Sequence, residues 1–307
     1  MKIIEFSKLF PDEDSCKAHF KSVRDKQGVV CIKCGCKKQY WLNSKFMYQC
    51  KDCSFRTSLK KGTILENSNL SIRTWYQIIL LVSATKKGFS AAEIQRQLGL
   101  KRYEPVWYCM HKIRRCMGKR DDLYKLADMV ELDDAMFKTE TSAIKKSRTK
   151  RGRGSLDYTP VSVIAESVPL EDLQSGKKSS SCRYFKMKVL NSYNPSDTDQ
   201  IITGMVNKDS VVFSDKSTSY VNISDFVEIH VSEKSSKETT NKTLKWSHIA
   251  ISNAKRTFLG VYHKIKGTYL QNYLNEFVYK LNRRYFGERL FDRLLIAAST
   301  VYWQDCG

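Results

Sequence analysis

Apolar and polar positions along this chain alternate in two rhythms, and each predicts its own elements. From Met129 to Asp134 the period is two, with Val130 and Leu132 on one face and Glu131 and Asp133 on the other. That is a short strand presenting two acids. Carboxylates buried without partners cost several kcal/mol, so such a strand either runs out into a solvated turn or meets a compensating divalent cation. Tyr158 to Ala165 and Cys182 to Leu190 read as two further strands, separated by a Ser/Lys-rich excursion. Asp197 to Val206 follows Asn194-Pro195-Ser196 as an amphipathic helix. Ser210 to Asp215 is an apolar run ending in an acid, the pattern of a buried strand that delivers a carboxylate at its C-terminal edge. Phe226 to Val231 gives a fifth strand. Ser232 to Lys245 is hydrophilic enough to read as disordered or ordered by a partner. The helical rhythm returns near His248 and lasts to Leu295.

The order is three strands, helix, strand, short helix, strand, helix. It predicts a mixed α/β, RNase-H-like core over residues 125–307. Upstream the helical period dominates. Residues 1–25 form a helical lead-in. Ser71 caps an apolar helix to Thr85, and Ser90 caps a short one from Ala91 to Leu98, with Glu93 completing a capping box. Gly99 separates that helix from a third, Glu104 to Met117. Helix, Gly-containing turn, helix is the helix-turn-helix pattern, here over residues 63–120. The last helix carries His111, Lys112, Arg114 and Arg115, residue types suited to phosphate contact, although a helical linker with a solvated basic face has the same composition. Lys119-Arg120-Asp121-Asp122 reads as a hinge.

Cysteine spacing adds a metal. Cys31-Ile32-Lys33-Cys34 and Cys50-Lys51-Asp52-Cys53 are paired thiols on tight knuckles with 15 residues between the pairs. A hairpin through Gln39-Tyr40-Trp41 and Phe46-Met47-Tyr48-Gln49 would bring them into a four-sulfur structural zinc site over residues 26–62. A ribbon this small draws its folding energy from the ion. Cys36 is a fifth thiol, outside the paired spacing. Basic and aromatic side chains on the ribbon suit DNA contact, and protein contact equally.

Charge points to the partner. The chain has 307 residues, 41% of them hydrophobic, and its 53 Lys and Arg exceed 32 Asp and Glu for a formal charge of +21. Polyanions gather around such a field, nucleic acid first among them. Lys145, Lys146, Arg148, Lys150, Arg151 and Arg153 crowd one Gly-containing loop suited to a phosphate backbone. No apolar run approaches the roughly 20 residues that span a bilayer. The first residues lack a signal peptide's apolar core. A reducing, cytoplasmic setting is therefore expected, in which cysteines bind metal and do not form disulfides.

Taken together, these stretches resemble bacterial insertion-sequence transposases of the zinc-ribbon, DDE type. The resemblance runs through the ribbon, the helix-turn-helix, Val130-Glu131-Leu132-Asp133 and Val212-Phe213-Ser214-Asp215. It continues in His248 to Arg256, Gly260-Val261-Tyr262-His263, Leu270 to Phe277 and Leu281 to Arg284. It implies that Asp133 and Asp215 are the first two catalytic acids, holding Mg²⁺ or Mn²⁺. Two ions about 4 Å apart serve an in-line displacement at phosphorus.

The third position departs from the family's commonest pattern, a Glu with Lys or Arg seven residues later. His248 stands seven residues before Lys255, and some branches use Asn or His there. Seven residues return to nearly the same helix face, so His248 and Lys255 point together, whereas Asn253 lies roughly opposite Lys255. His248 is the favoured third residue, Asn253 the second choice. Glu131, Asp134, Glu238 and Glu276 are further candidates for an acid. Lys255 and Arg256 would touch DNA. The implied activity is binding of terminal inverted repeats, strand cleavage and strand transfer, by at least a dimer on DNA, in the bacterial cytosol near the nucleoid. The rival expectations are a DNA-binding protein that has lost catalysis and a nuclease without strand transfer.

Overall fold

The computed structural model describes residues 1–140, 157–171, 178–234, 236, 243–262 and 264–300. The chain divides into two compact units, Met1–Arg120 with Arg283–Gly307, and Asp121–Asn282.

In the first unit, α1 (Ile3–Leu9) and α2 (Glu13–Gln27) precede a three-stranded antiparallel sheet of β1 (Gln39–Leu42), β2 (Met47–Cys50) and β3 (Arg56–Ser58). Helices α3 (Ile72–Ala84), α4 (Ala91–Gln97) and α5 (Glu104–Asp122) follow. Both expected N-caps are present: Ser71 Oγ accepts the Thr74 N–H at 3.0 Å and Ser90 Oγ accepts that of Glu93 at 3.1 Å. The expected capping box at α4 does not close, because the Glu93 carboxylate turns to Arg96 and Gln97, at 2.6 and 2.7 Å. Gly99, at φ +61°, supplies the left-handed residue that ends α4, and Gln95 holds the turn by donating to the Leu100 carbonyl at 3.1 Å.

One element lies elsewhere than expected. The final helix α9 (Leu290–Thr300) belongs with α2 and α3, not with the sheet domain placed at 125–307. Phe291 is buried among the rings of Phe6, Phe10 and Tyr76, with centroids 6.1, 6.2 and 5.9 Å away. An apolar stripe of Leu290, Phe291, Leu294, Leu295 and Ala298 has to bury itself, and the N-terminal helices offer the matching surface.

The second unit is a five-stranded sheet in the order β6-β5-β4-β7-β8. Its strands are β4 (Met129–Lys138), β5 (Tyr158–Glu171), β6 (Lys178–Val189), β7 (Val211–Asp215) and β8 (Ile229–Glu233). The first three pair antiparallel, while β4–β7 and β7–β8 are parallel. In order of appearance this is 3-2-1-4-5, the mixed RNase-H-like sheet. Both β5 and β6 reach further into the polar excursion than the apolar pattern indicates, and β8 starts three residues later than Phe226. Helix α6 (Pro195–Met205) opens with Pro at its first position, where the missing N–H costs nothing.

Two cores sandwich the sheet. Val130, Leu132 and Val212 pack with Ile202 and Met205 of α6. On the other face Ala135 and Phe137 pack with Ala250, Ile251, Ala254 and Phe258 of α7 (Lys245–Val261), and with Leu270, Leu274 and Val278 of α8 (Gly267–Asn282). Alternation along β4 thus assigns Glu131 and Asp133 to the α7 face. No described helix is long and apolar enough to cross a membrane.

Candidate active site and metal centre

The row of β4 that faces α7 reads Glu131, Asp133, Ala135, Phe137. Its apolar half packs against the body of the helix, and its acidic half lies at the helix's beginning. The parallel register pairs Leu132 with Ser214, so Asp133 and Asp215 come next on neighbouring strands, on the same face of the sheet. His248, in the first turn of α7, sets Nε2 3.6 Å from Asp133 Oδ2. Burial pushes the Asp133 carboxyl up, His248 opposes the shift, Asp215 adds to it, and Lys255 opposes it from one face of α7. A second acid nearby makes a second negative charge harder to hold, the situation a cation resolves. Lys255 is exposed, with Nζ 5.7 Å from the centre of the Phe137 ring.

The other candidates fall elsewhere. Asn253 lies five residues beyond His248, on the opposite flank of the stripe that faces the core. Asp134 points to the α6 face, where Tyr220 is buried beside it; burial and this carboxylate raise the phenol well above its ordinary value. Glu276 is buried in an ion pair with Lys280 at 3.1 Å on α8. Glu238 lies outside the described residues, as do Lys145, Lys146, Arg148, Lys150, Arg151 and Arg153. Arg256 is exposed on α7, its Nε donating to the Ser252 carbonyl at 3.4 Å.

Glu131 has a role the sequence did not signal. Its Oε2 accepts the backbone N–H groups of Trp246 at 2.8 Å and Ser247 at 3.0 Å, across 115 and 116 residues of chain. Burial pushes it up to about 7, against the pull of those two amides. The only trace in the sequence is negative: Leu244, the residue before α7, has no side chain that could cap it.

In the first unit, Cys31, Cys34, Cys50 and Cys53 place their sulfurs within 4.8 Å of one another. The pairs Cys31–Cys53 and Cys34–Cys50 are 3.6 and 3.5 Å apart. Sulfurs of a zinc tetrahedron with bonds of about 2.3 Å stand about 3.8 Å apart, so the donor set fits that ion. The knuckles repeat each other. Gly35 N–H donates to the Cys31 carbonyl and Ser54 N–H to that of Cys50, while Cys31 and Cys50 donate to the carbonyls of Cys36 and Phe55. Cys36 therefore matches Phe55 and stands outside the tetrad. The Cys53 N–H, together with that of Asp52, brings the Cys50 thiol down to about 6.

Of the two uses expected for the ribbon's aromatic side chains, DNA or protein contact, one row serves the second within the unit: it is docked on α2. Lys17 covers Phe46 at 4.4 Å, Lys21 covers Trp41 at 5.1 Å, and Tyr48 donates to Asp25 at 2.9 Å. The opposite row, Tyr40, Gln49 and Arg56, faces out, and Tyr40 is 54% exposed.

On α5 the expected basic face is largely interior. Lys112 and Arg114 are buried, Lys112 donating to the Glu66 carbonyl at 2.5 Å, and Arg115 is half-buried. Such burial is at odds with phosphate contact by Lys112 and Arg114. The apolar positions Val106, Met110, Ile113 and Met117 rotate them inward. Lys101, Arg102 and Tyr103, in the turn just before the helix, and Tyr108 near its start are exposed instead.

A five-stranded mixed sheet in the order 3-2-1-4-5, with one acid midway along its central strand and another at the end of the neighbouring parallel strand, is of the RNase-H-like class. Residues 125–282 match the ISXO2-like transposase domain, and residues 11–56 match the transposase zinc-ribbon domain. The chain belongs to this family of zinc-ribbon transposases. No curated protein matches it closely.

Proposed function

We propose that the protein is an active DNA transposase, cutting a strand at each end of its element and joining the freed 3′-hydroxyls to a target. The observation that carries this reading is the register of β4 against β7, which sets Asp133 and Asp215 side by side with His248 facing the first of them. Asp133 and Asp215 would hold Mg²⁺ or Mn²⁺. Such ions, when bound, polarise the phosphate and lower the pKa of an attacking oxygen.

The chain's own groups supply the rest. The Asp133 side chain is largely withdrawn from solvent, at 13% exposure. His248 holds a proton at Nε2 or accepts one there, within reach of Asp133. Lys255, one helix face along, pairs with a phosphate beside the scissile bond. In the other unit, Lys101 and Arg102 just precede, and Tyr108 lies near the start of, a helix that, in a helix-turn-helix, lies in the major groove with its first residues on base edges. Tyr40 and Arg56 of the ribbon offer a second contact. Because two ends are processed together, at least two chains act on DNA.

The test is cleavage and strand transfer on candidate element ends. Wild type should give both products, and Asp133→Ala and Asp215→Ala neither. Two alanine variants as active as the wild type would refute the assignment, while cutting without joining would mark a nuclease.

A further inference from the structure

Helix α7 begins without a cap of its own: Leu244 offers no acceptor, and the first turn contains no acid. Its leading amides are met from the sheet. Trp246 and Ser247 both donate to Glu131 Oε2, and Ser247 Oγ donates to the Glu131 carbonyl at 3.4 Å. Both Glu131 and Ser247 are buried, at 4% and 0% exposure. The next residue of the helix is His248. The next residue on the same face of the strand is Asp133.

We propose that Glu131 is the positioning residue of the site: by clamping the first turn of α7 to β4, it sets the separation between His248 and Asp133. The proposal rests on the reading of Asp133, Asp215 and His248 as the reacting groups. The linkage is short, one residue on the helix and two on the strand, so a shift of that turn reaches the imidazole undiminished. A carboxylate oxygen offers about two lone-pair directions, and two amides already occupy those of Oε2. That occupancy makes Oε2 an anchor, and substitution separates this role from metal binding through Oε1. It also sets the chemistry of a tolerable replacement, since glutamine keeps one carbonyl oxygen able to accept both amides but has no negative charge for an ion.

The experiment compares Glu131→Gln, Glu131→Ala and Asp133→Asn in the full chain, with thermal unfolding to confirm that each variant is folded. In Mg²⁺, Glu131→Gln should cleave within about threefold of wild type. Glu131→Ala should lose about 10- to 100-fold in kcat, the scale of a misplaced catalytic group, with unchanged affinity for DNA. Cleavage by Glu131→Gln falling as far as that of Asp133→Asn would make Glu131 a metal ligand and overturn the proposal. So would full activity of Glu131→Ala.

Hydrogen exchange of the Trp246 and Ser247 amides gives a readout independent of turnover. It should accelerate by about fivefold or more in the alanine variant, as for a lost helix cap, and hold in the glutamine variant. Should Asp133→Asn cleave like the wild type, the site itself is misassigned, and exchange alone decides whether Glu131 holds α7.

Discussion

His248 and Asp133, brought together from a helix and a central strand, stand with Nε2 and Oδ2 3.6 Å apart. Imidazole is a softer ligand than carboxylate and suits Mn²⁺ better than Mg²⁺. A group here that handles protons or metal should be worth about 100-fold or more in rate. We expect His248→Ala to lose that much cleavage, and His248→Glu to regain part of it while shifting preference from Mn²⁺ toward Mg²⁺. Rates in the two metals check this. Asn253→Ala should leave the ratio unchanged.

The ribbon should bind one zinc per chain through its four paired thiols. Cys34→Ser or Cys50→Ser should lower the zinc content and loosen the β1–β2 hairpin. Cys36→Ser should retain full zinc, because its sulfur turns back to accept the Lys38 N–H at 3.3 Å. Metal released to a colorimetric chelator on unfolding gives the stoichiometry.

DNA contact should follow exposure, not residue type. Replacing Lys101 and Arg102 with Ala should reduce the salt slope of DNA binding by about one for each phosphate no longer neutralised. Lys112→Ala should leave the slope alone and lower stability, since its ammonium serves the Glu66 carbonyl inside the unit. Fluorescence anisotropy across a salt series separates the two effects.

Phe291→Ala should destabilise the first unit by about 3–5 kcal/mol, the usual cost of truncating a buried aromatic. Urea unfolding, followed by the fluorescence of buried Trp75, provides the measurement.

A pH effect should come from His19. Burial lowers its pKa below 6.5, Asp292 opposes this and Lys26 adds to it; Nδ1 lies 2.9 Å from the Tyr76 hydroxyl. The folded state therefore favours the neutral ring. Its contribution to stability is complete above about pH 6.5 and is lost as pH falls through the depressed folded value. His19→Gln should flatten urea midpoints between about pH 5 and pH 7 relative to wild type.

The strand order of the second unit is legible because each strand carries its own apolar pattern, although β4 runs on past Asp133 to Lys138 and leaves that acid mid-strand. The zinc ligands were legible because their spacing is local. Surface exposure was less so: Lys112 and Arg114 look like groove contacts until the apolar positions on either side rotate them inward. In the sequence Glu131 is one more candidate acid, since nothing near it in the chain reveals a helix start more than a hundred residues downstream. The place of α9 is hidden for the same reason. An apolar helix shows that it must be covered, not by what.

That placement also bears on how the chain is made. Residues 290–300 leave the ribosome after the whole of 121–282, yet they complete the packing around Phe6, Phe10 and Tyr76, and the Ala298 carbonyl accepts the Ile64 N–H. The half of the polypeptide translated first is therefore the last to finish folding. A nascent chain can assemble its sheet before its ribbon-bearing half is complete, and a product cut short after Asn282 would keep the acids but lack the closing helix of the other unit.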